Sequence, residues 1–142
     1  MGIKITKDER KLLNNLFGTI ALSNEHKMNL GTDLSVEYHD AGLKKLSNNE
    51  LDTAAEDFKL SILVGYECLK KGVYFYPGVI ASSCYYMSIT FAKNADYSTA
   101  LALAKESYHF YKDLNKTSGG YKKELSETKQ LIMSLKDVIE NE

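Results

Sequence analysis

Tryptophan is absent from the 142 residues, and the chain holds one proline, one arginine and two cysteines. With a single arginine, Arg10, and a net charge of −1, there is no electrostatic basis for a dedicated nucleic-acid binder. Long apolar runs are missing too. The longest, from Val79 to Ala92, spans about 14 residues and is interrupted by Ser82, Ser83, Ser88 and Thr90, short of the roughly 20 that cross a bilayer. The start, Met-Gly-Ile-Lys-Ile-Thr, has no apolar stretch of secretory type, so a cytoplasmic protein is expected. Cys68 and Cys84 lack the paired spacing of a zinc or redox site and read as buried thiols. Nothing in the sequence calls for a cofactor or a metal. Three histidines give little for catalysis: His26 follows Glu25, His39 precedes Asp40, and His109 lies four residues before Asp113, a solvated pair rather than a metal site.

What is present is 44% apolar residues, ten of the chain's residues being tyrosine, in a length suited to one domain. Apolar positions recur at steps of three and four almost throughout and nowhere alternate for long, which predicts an all-α fold. Breaks rich in Gly, Asn, Ser or Pro at 29–33, 47–49, 72–78, 93–96 and 115–120 divide it into six helices. The first, 7–28, opens on a capping box of Thr6 and Glu9 and buries Leu13, Leu16, Phe17, Ile20, Ala21 and Met28. That box explains Thr6 better than the acylation pattern formed with Gly2. The second runs over 34–46, and Ser47 with Glu50 reads as a second capping box for a third helix reaching about Lys71, where Gly72 supplies a left-handed cap. Pro77 falls at the first turn of a fourth, 78–93, apolar or small around most of its circumference and so central. Asp96 caps the fifth, and the sixth, 120–140, carries Tyr121, Leu125, Ile132, Leu135 and Ile139 as a seam.

The chain also matches itself. Leu51, Ala54, Phe58 and Ser61 are followed 46 residues later by Tyr97, Ala100, Ala104 and Ser107, similar residues in the same order. Small residues at Ala54 and Ala100 let two helices approach closely after a tight turn. The pattern resembles a tetratricopeptide repeat. In the first unit it covers Tyr38, Ala41, Gly42, Leu51, Ala54, Phe58 and Ser61, with Lys45 where an aromatic is usual. In the second it covers Cys84, Met87, Ser88, Phe91, Tyr97, Ala100, Ala104 and Ser107, with Cys84 and Ser88 in place of the usual Trp and Gly. An offset of 46 exceeds the common repeat of about 34 and is closer to the long-helix variants of kinesin light chains and Rap-type regulators.

The resemblance implies one domain over 1–142: an N-terminal helix, units at 34–71 and 78–115, and a C-terminal capping helix. It also implies a short right-handed superhelical stack that is a non-catalytic binding module. Its concave face would present Val36, His39, Leu43 and Leu46 from the second helix and Ser82, Tyr85, Ile89 and Lys93 from the fourth. His39, Leu43, Tyr85, Ile89 and Lys93 are the expected partner-binding set, for a segment of another protein or a peptide. The family's clamp for chaperone tails uses Lys and Asn where this chain has His39 and Leu43, which argues against that ligand. With so few pairs, the terminal helices either leave this face open or fold over it. The other reading is a homodimer through the C-terminal seam. The loop Val73-Tyr74-Phe75-Tyr76-Pro77 either packs down as a plug or forms a contact site.

Overall fold

The computed structural model describes residues 5–25 and 30–141, and the side chains of all of these except 17–25. Phe17, Ile20, Ala21 and Met28, expected in the first helix's buried face, thus lie outside the described side chains. Among the described residues the fold is all-α, with six helices: α1 Lys7–Glu25, α2 Leu30–Ser47, α3 Leu51–Lys70, α4 Gly78–Lys93, α5 Tyr97–Ser118 and α6 Lys122–Glu140. From α2 onward each helix packs on the next, α4 also touches α2, and α1 lies against α2 and α3.

Small residues set how closely these helices approach. Gly42 of α2 faces Phe58 of α3 so tightly that a Cβ there would meet the ring at 2.7 Å, and one at Gly65 would meet Ile80 Cγ1 at 2.6 Å. Ser35, Ser61 and Ser83 form a buried polar ladder through α2, α3 and α4. Ser61 Oγ lies 2.9 Å from both Ser35 Oγ and Ser83 Oγ. Buried hydroxyls are tolerated at such contacts because they find partners within the chain. Around the ladder sit Leu13, Phe58, Ile62, Leu63, Val64, Phe75, Ile80 and Met87. Both cysteines are buried and free; burial pushes the Cys68 thiol up to about 11 and raises Cys84 as well.

The 46-residue offset recurs in the backbone. Ser61 Oγ donates to Ser35 O at 2.8 Å, and Ser107 Oγ donates to Ala81 O at 2.8 Å. After α2, Asn49 at φ 61° turns the chain while the Glu50 N–H donates to Lys45 O at 2.9 Å. After α4, Ala95 at φ 60° does the same with Asp96 N–H and Phe91 O at 2.9 Å. This left-handed residue with a bond back to the last turn is a Schellman closure. Gly72 closes α3 in the same manner, φ 69°, with Val73 N–H on Cys68 O.

Several expected boundaries shift. α2 starts at Leu30, not 34, because Gly31 is buried and Leu30 and Leu34 pack against the core, which outweighs the breaker character of Gly-Thr-Asp. Glu50, without a side-chain cap bond, precedes α3, and Ser47 Oγ instead donates to Lys44 O at 2.8 Å, so the second capping box does not form. α5 runs through 115–118, where Thr117 and Ser118 hydroxyls donate to the preceding turn, before Gly119 at φ 70° ends it. Pro77 immediately precedes α4, and Asp96 accepts from Thr99 N–H at 3.2 Å. In the aromatic loop Phe75 plugs the core, while Tyr74 and Tyr76 are exposed.

α1 is fastened by charge. Thr6 and Glu9 exchange hydrogen bonds, Thr6 N–H to Glu9 Oε1 at 2.9 Å and Glu9 N–H to Thr6 Oγ1 at 3.1 Å. Lys59 Nζ reaches Glu9 Oε1 at 3.0 Å, and Arg10 Nη1 reaches the buried Glu67 Oε1 at 2.8 Å. Burial raises the Glu9 carboxyl, but the bonds from Thr6 and Lys59 outweigh it and hold the group below its ordinary value.

Two outcomes are expected. Gly65→Ala gains about 1 kcal/mol of helix propensity but overpacks against Ile80 and Phe75 at about 1–3 kcal/mol, so a urea melt should show net destabilisation. A rise in stability would contradict the close approach. Because Glu9 has a depressed folded pKa, its contribution is present above the unfolded value near about 4.3 and is lost as pH falls through the folded one. Glu9→Gln should therefore cost about 1 kcal/mol at neutral pH and close to nothing near about pH 2–3. An equal gap at both pH values would refute that linkage.

Candidate functional site

One face of α2, one face of α4 and the start of α6 come together on one side of the molecule. Helical spacing puts Val36, His39 and Asp40 together on α2, and Val79, Ser82, Tyr85 and Tyr86 together on α4. Two cavities open there. One, of about 270 Å³, is lined by Val36, His39, Asp40, Tyr76, Gly78, Val79 and Ser82. The other, of about 230 Å³, is lined by Ser82, Tyr85, Tyr86, Tyr111, Lys123, Glu124, Glu127 and Thr128. Ser82 belongs to both, so the two adjoin across α4.

The wall between them is polar. His39 Nε2 lies 2.8 Å from Ser82 Oγ, and Nδ1 lies 3.1 Å from Asp40 Oδ1. Burial raises the Tyr111 hydroxyl, which lines the second cavity together with Ser82. A chain of contacts thus runs Asp40–His39–Ser82 from α2 to α4. The His39 ring meets Phe58 and Tyr86 edge-on, at 6.0 and 5.8 Å, and those two rings stack at 6.2 Å. His39 is therefore seated rather than swinging free.

An acid, an imidazole and a serine in this order have the outline of a nucleophilic triad, which needs backbone donors for the developing oxyanion. The N–H groups of Val79, Ile80 and Ala81 are spent on the carbonyls of Tyr76 and Pro77, and Asp40 is 65% exposed. The His39–Ser82 contact links α2 to α4. Among the described residues no cluster of three or more His, Cys, Asp or Glu side chains is placed to hold a metal, and no helix is long and apolar enough to cross a membrane.

Of the five expected partner-binding residues, His39 lines one cavity and Tyr85 the other. Leu43 is half-buried against the core, Ile89 is half-buried and lines neither cavity, and Lys93 is exposed at the end of α4. The face is thus divided: its C-terminal end is partly filled while its N-terminal end is open. Tyr86, Tyr111, Glu124 and Glu127 also line the second cavity and lie outside the expected partner-binding set. Glu124, four residues before Thr128 on α6, lies outside the apolar series and so gave no signal in the spacing.

The α6 seam is largely used inside the chain. Leu135 is 4% exposed in a cluster with Ala100 and Ala104, and Leu131 and Ile132 pack against it. Tyr121 stacks near Tyr111 at 5.8 Å and hydrogen-bonds the Tyr76 hydroxyl, tying the aromatic loop to α6, and Leu125 is half-buried. The physical reason is the small Ala100 and Ala104 on α5, which leave a slot that Leu135 fills. Only Ile139 of the five stays exposed; Met133 and Val138 of α6 are exposed as well. Comparison with protein families, characterised proteins and solved structures finds no match to this chain.

Proposed function

We propose that the chain is a non-catalytic binding module of tetratricopeptide type, acting in the cytoplasm without a cofactor, that holds an extended or helical segment of another protein across α2, α4 and α6. One observation carries this reading: two adjoining cavities of different chemistry, apolar over Val36 and Val79 and acidic-aromatic over Tyr85 and Glu124, share Ser82 on the same face. The recurrence of one turn and one serine bond at the 46-residue offset supports the helix-pair repeat. In such an array the first helix of each pair lines the concave side, where segments dock by burying side chains in successive pockets.

The site residues under this reading are His39, Ser82 and Tyr85, with Leu43, Ile89 and Lys93 extending the face toward the other end of α4. A second reading, self-association, is favoured by the exposed Met133, Val138 and Ile139 near the end of α6. Tyr121, Ile132 and Leu135 of the seam pack against α5.

The test is selection from a random-peptide library on the immobilised protein. Peptides should be enriched on the natural chain and lost on Ser82→Leu, which obstructs both cavities, and on Tyr85→Ala. Far-ultraviolet circular dichroism would confirm that both variants stay folded. Enrichment that survives both substitutions would place binding elsewhere. Light scattering decides the second reading, since a monomer at every concentration removes it.

A further inference from the structure

We infer that the cavity between α4, α5 and α6 is a subsite for one cationic side chain, lysine or arginine, of the bound segment. The inference rests on the binding-module reading above and specifies its ligand. Three features of the cavity converge on a cation.

The first is aromatic. Tyr85 and Tyr86 meet at 83° with ring centroids 5.2 Å apart, so that two walls stand at right angles, and Tyr111 adds a third ring from α5. Ring faces carry negative potential and attract ammonium or guanidinium groups. The second is charge. Glu124 and Glu127 face a single base, Lys123, which lies 3.8 Å from Glu127 Oε1 and is 83% exposed. The lining keeps one excess negative charge, which disfavours anions and neutral apolar groups. The third is an unmet bond. Glu124 Oε2 is covered from solvent and has no hydrogen-bond partner among the described residues. A covered carboxylate oxygen without a donor is costly, and a cation seated in the cavity beside the Glu124 carboxylate would offset its charge.

Size narrows the ligand further. At about 230 Å³ the cavity is smaller than the roughly 300–1,000 Å³ usual for cofactor-sized ligands, and suits one side chain. A bare calcium ion would need about six to eight oxygen ligands, which two carboxylates and three phenol rings do not offer. The adjoining apolar cavity over Val36 and Val79 suits a neutral side chain close by in the same segment. The ligand motif is therefore a basic residue near an aliphatic or aromatic one.

The library peptides provide the test. Those enriched on the natural chain should carry Lys or Arg at one fixed position with an apolar residue nearby. Glu124→Gln should weaken them about tenfold, the loss of one charge-assisted contact. The variant should melt close to the parent, losing only the helix-dipole contribution of a first-turn acid, because Oε2 has no hydrogen-bond partner among the described residues. Tyr85→Leu, which keeps bulk and removes the ring face, should weaken them as well. Enriched peptides without a basic position, or unchanged affinity in Glu124→Gln, would overturn the cationic subsite and leave the groove standing. Absence of any enrichment would overturn both. Free n-butylammonium binding as tightly as the peptides would mark a small-amine pocket and also defeat the inference.

Discussion

The closeness of helix approach over small residues is the constraint on which everything else depends. Gly42 and Gly65 have no room for a methyl group, and Ala54, Ala81, Ala100 and Ala104 are fully buried with nothing larger in their place. Serine takes the same role with an added bond. Ser88 Oγ donates to Ala100 O at 2.6 Å, and Ser61 and Ser107 reach across to backbone carbonyls of the preceding helix of each pair. Such contacts fix the relative rotation of two helices as well as their distance, because a hydroxyl must meet its acceptor.

The groove follows from that rotation. With α2 and α4 locked through Ser35, Ser61 and Ser83, the neighbouring faces carrying His39 and Ser82 come within 2.8 Å. Residues one turn further along α4, Tyr85 and Tyr86, then line the cavity shared with α5 and α6, Tyr86 also stacking on Phe58 of α3. α6 is held by Leu135 in the slot over Ala100 and Ala104, which brings Glu124 and Glu127 to the edge of the tyrosine walls. Packing at one end of α6 thereby creates the cavity at its other end.

Much of this was legible in sequence, for identifiable reasons. The self-similarity at Ala54 and Ala100, and at Ser61 and Ser107, is a direct imprint of the close contacts, since only small residues satisfy them. The bounds of α4 were readable because Pro77 and the Asn94-Ala95-Asp96 turn flank a run with no internal breaker. The start of α2 was not, because burial of Gly31 is a tertiary fact that local propensity does not carry. The pairing of His39 with Ser82, 43 residues apart, depends on the rotation of two helices and leaves no local signal. The seam on α6 was seen as an apolar series, and Ile132 and Leu135 of it pack against α5, whereas the acidic residues near the start of that helix, which line a cavity, left no such signal.

The central claim is that small-residue contacts through α3 and α4 hold the molecule together while α1 and α6 are fastened onto them. Native-state amide hydrogen exchange reads this directly, since the slowest amides report the most cooperative unit. The account expects the slowest exchange at Ser61–Val64 and Ala81–Met87, with α1 and the last turns of α6 exchanging faster. Protection in α1 or α6 equal to that of α4, or slow exchange spread evenly over all six helices, would contradict it.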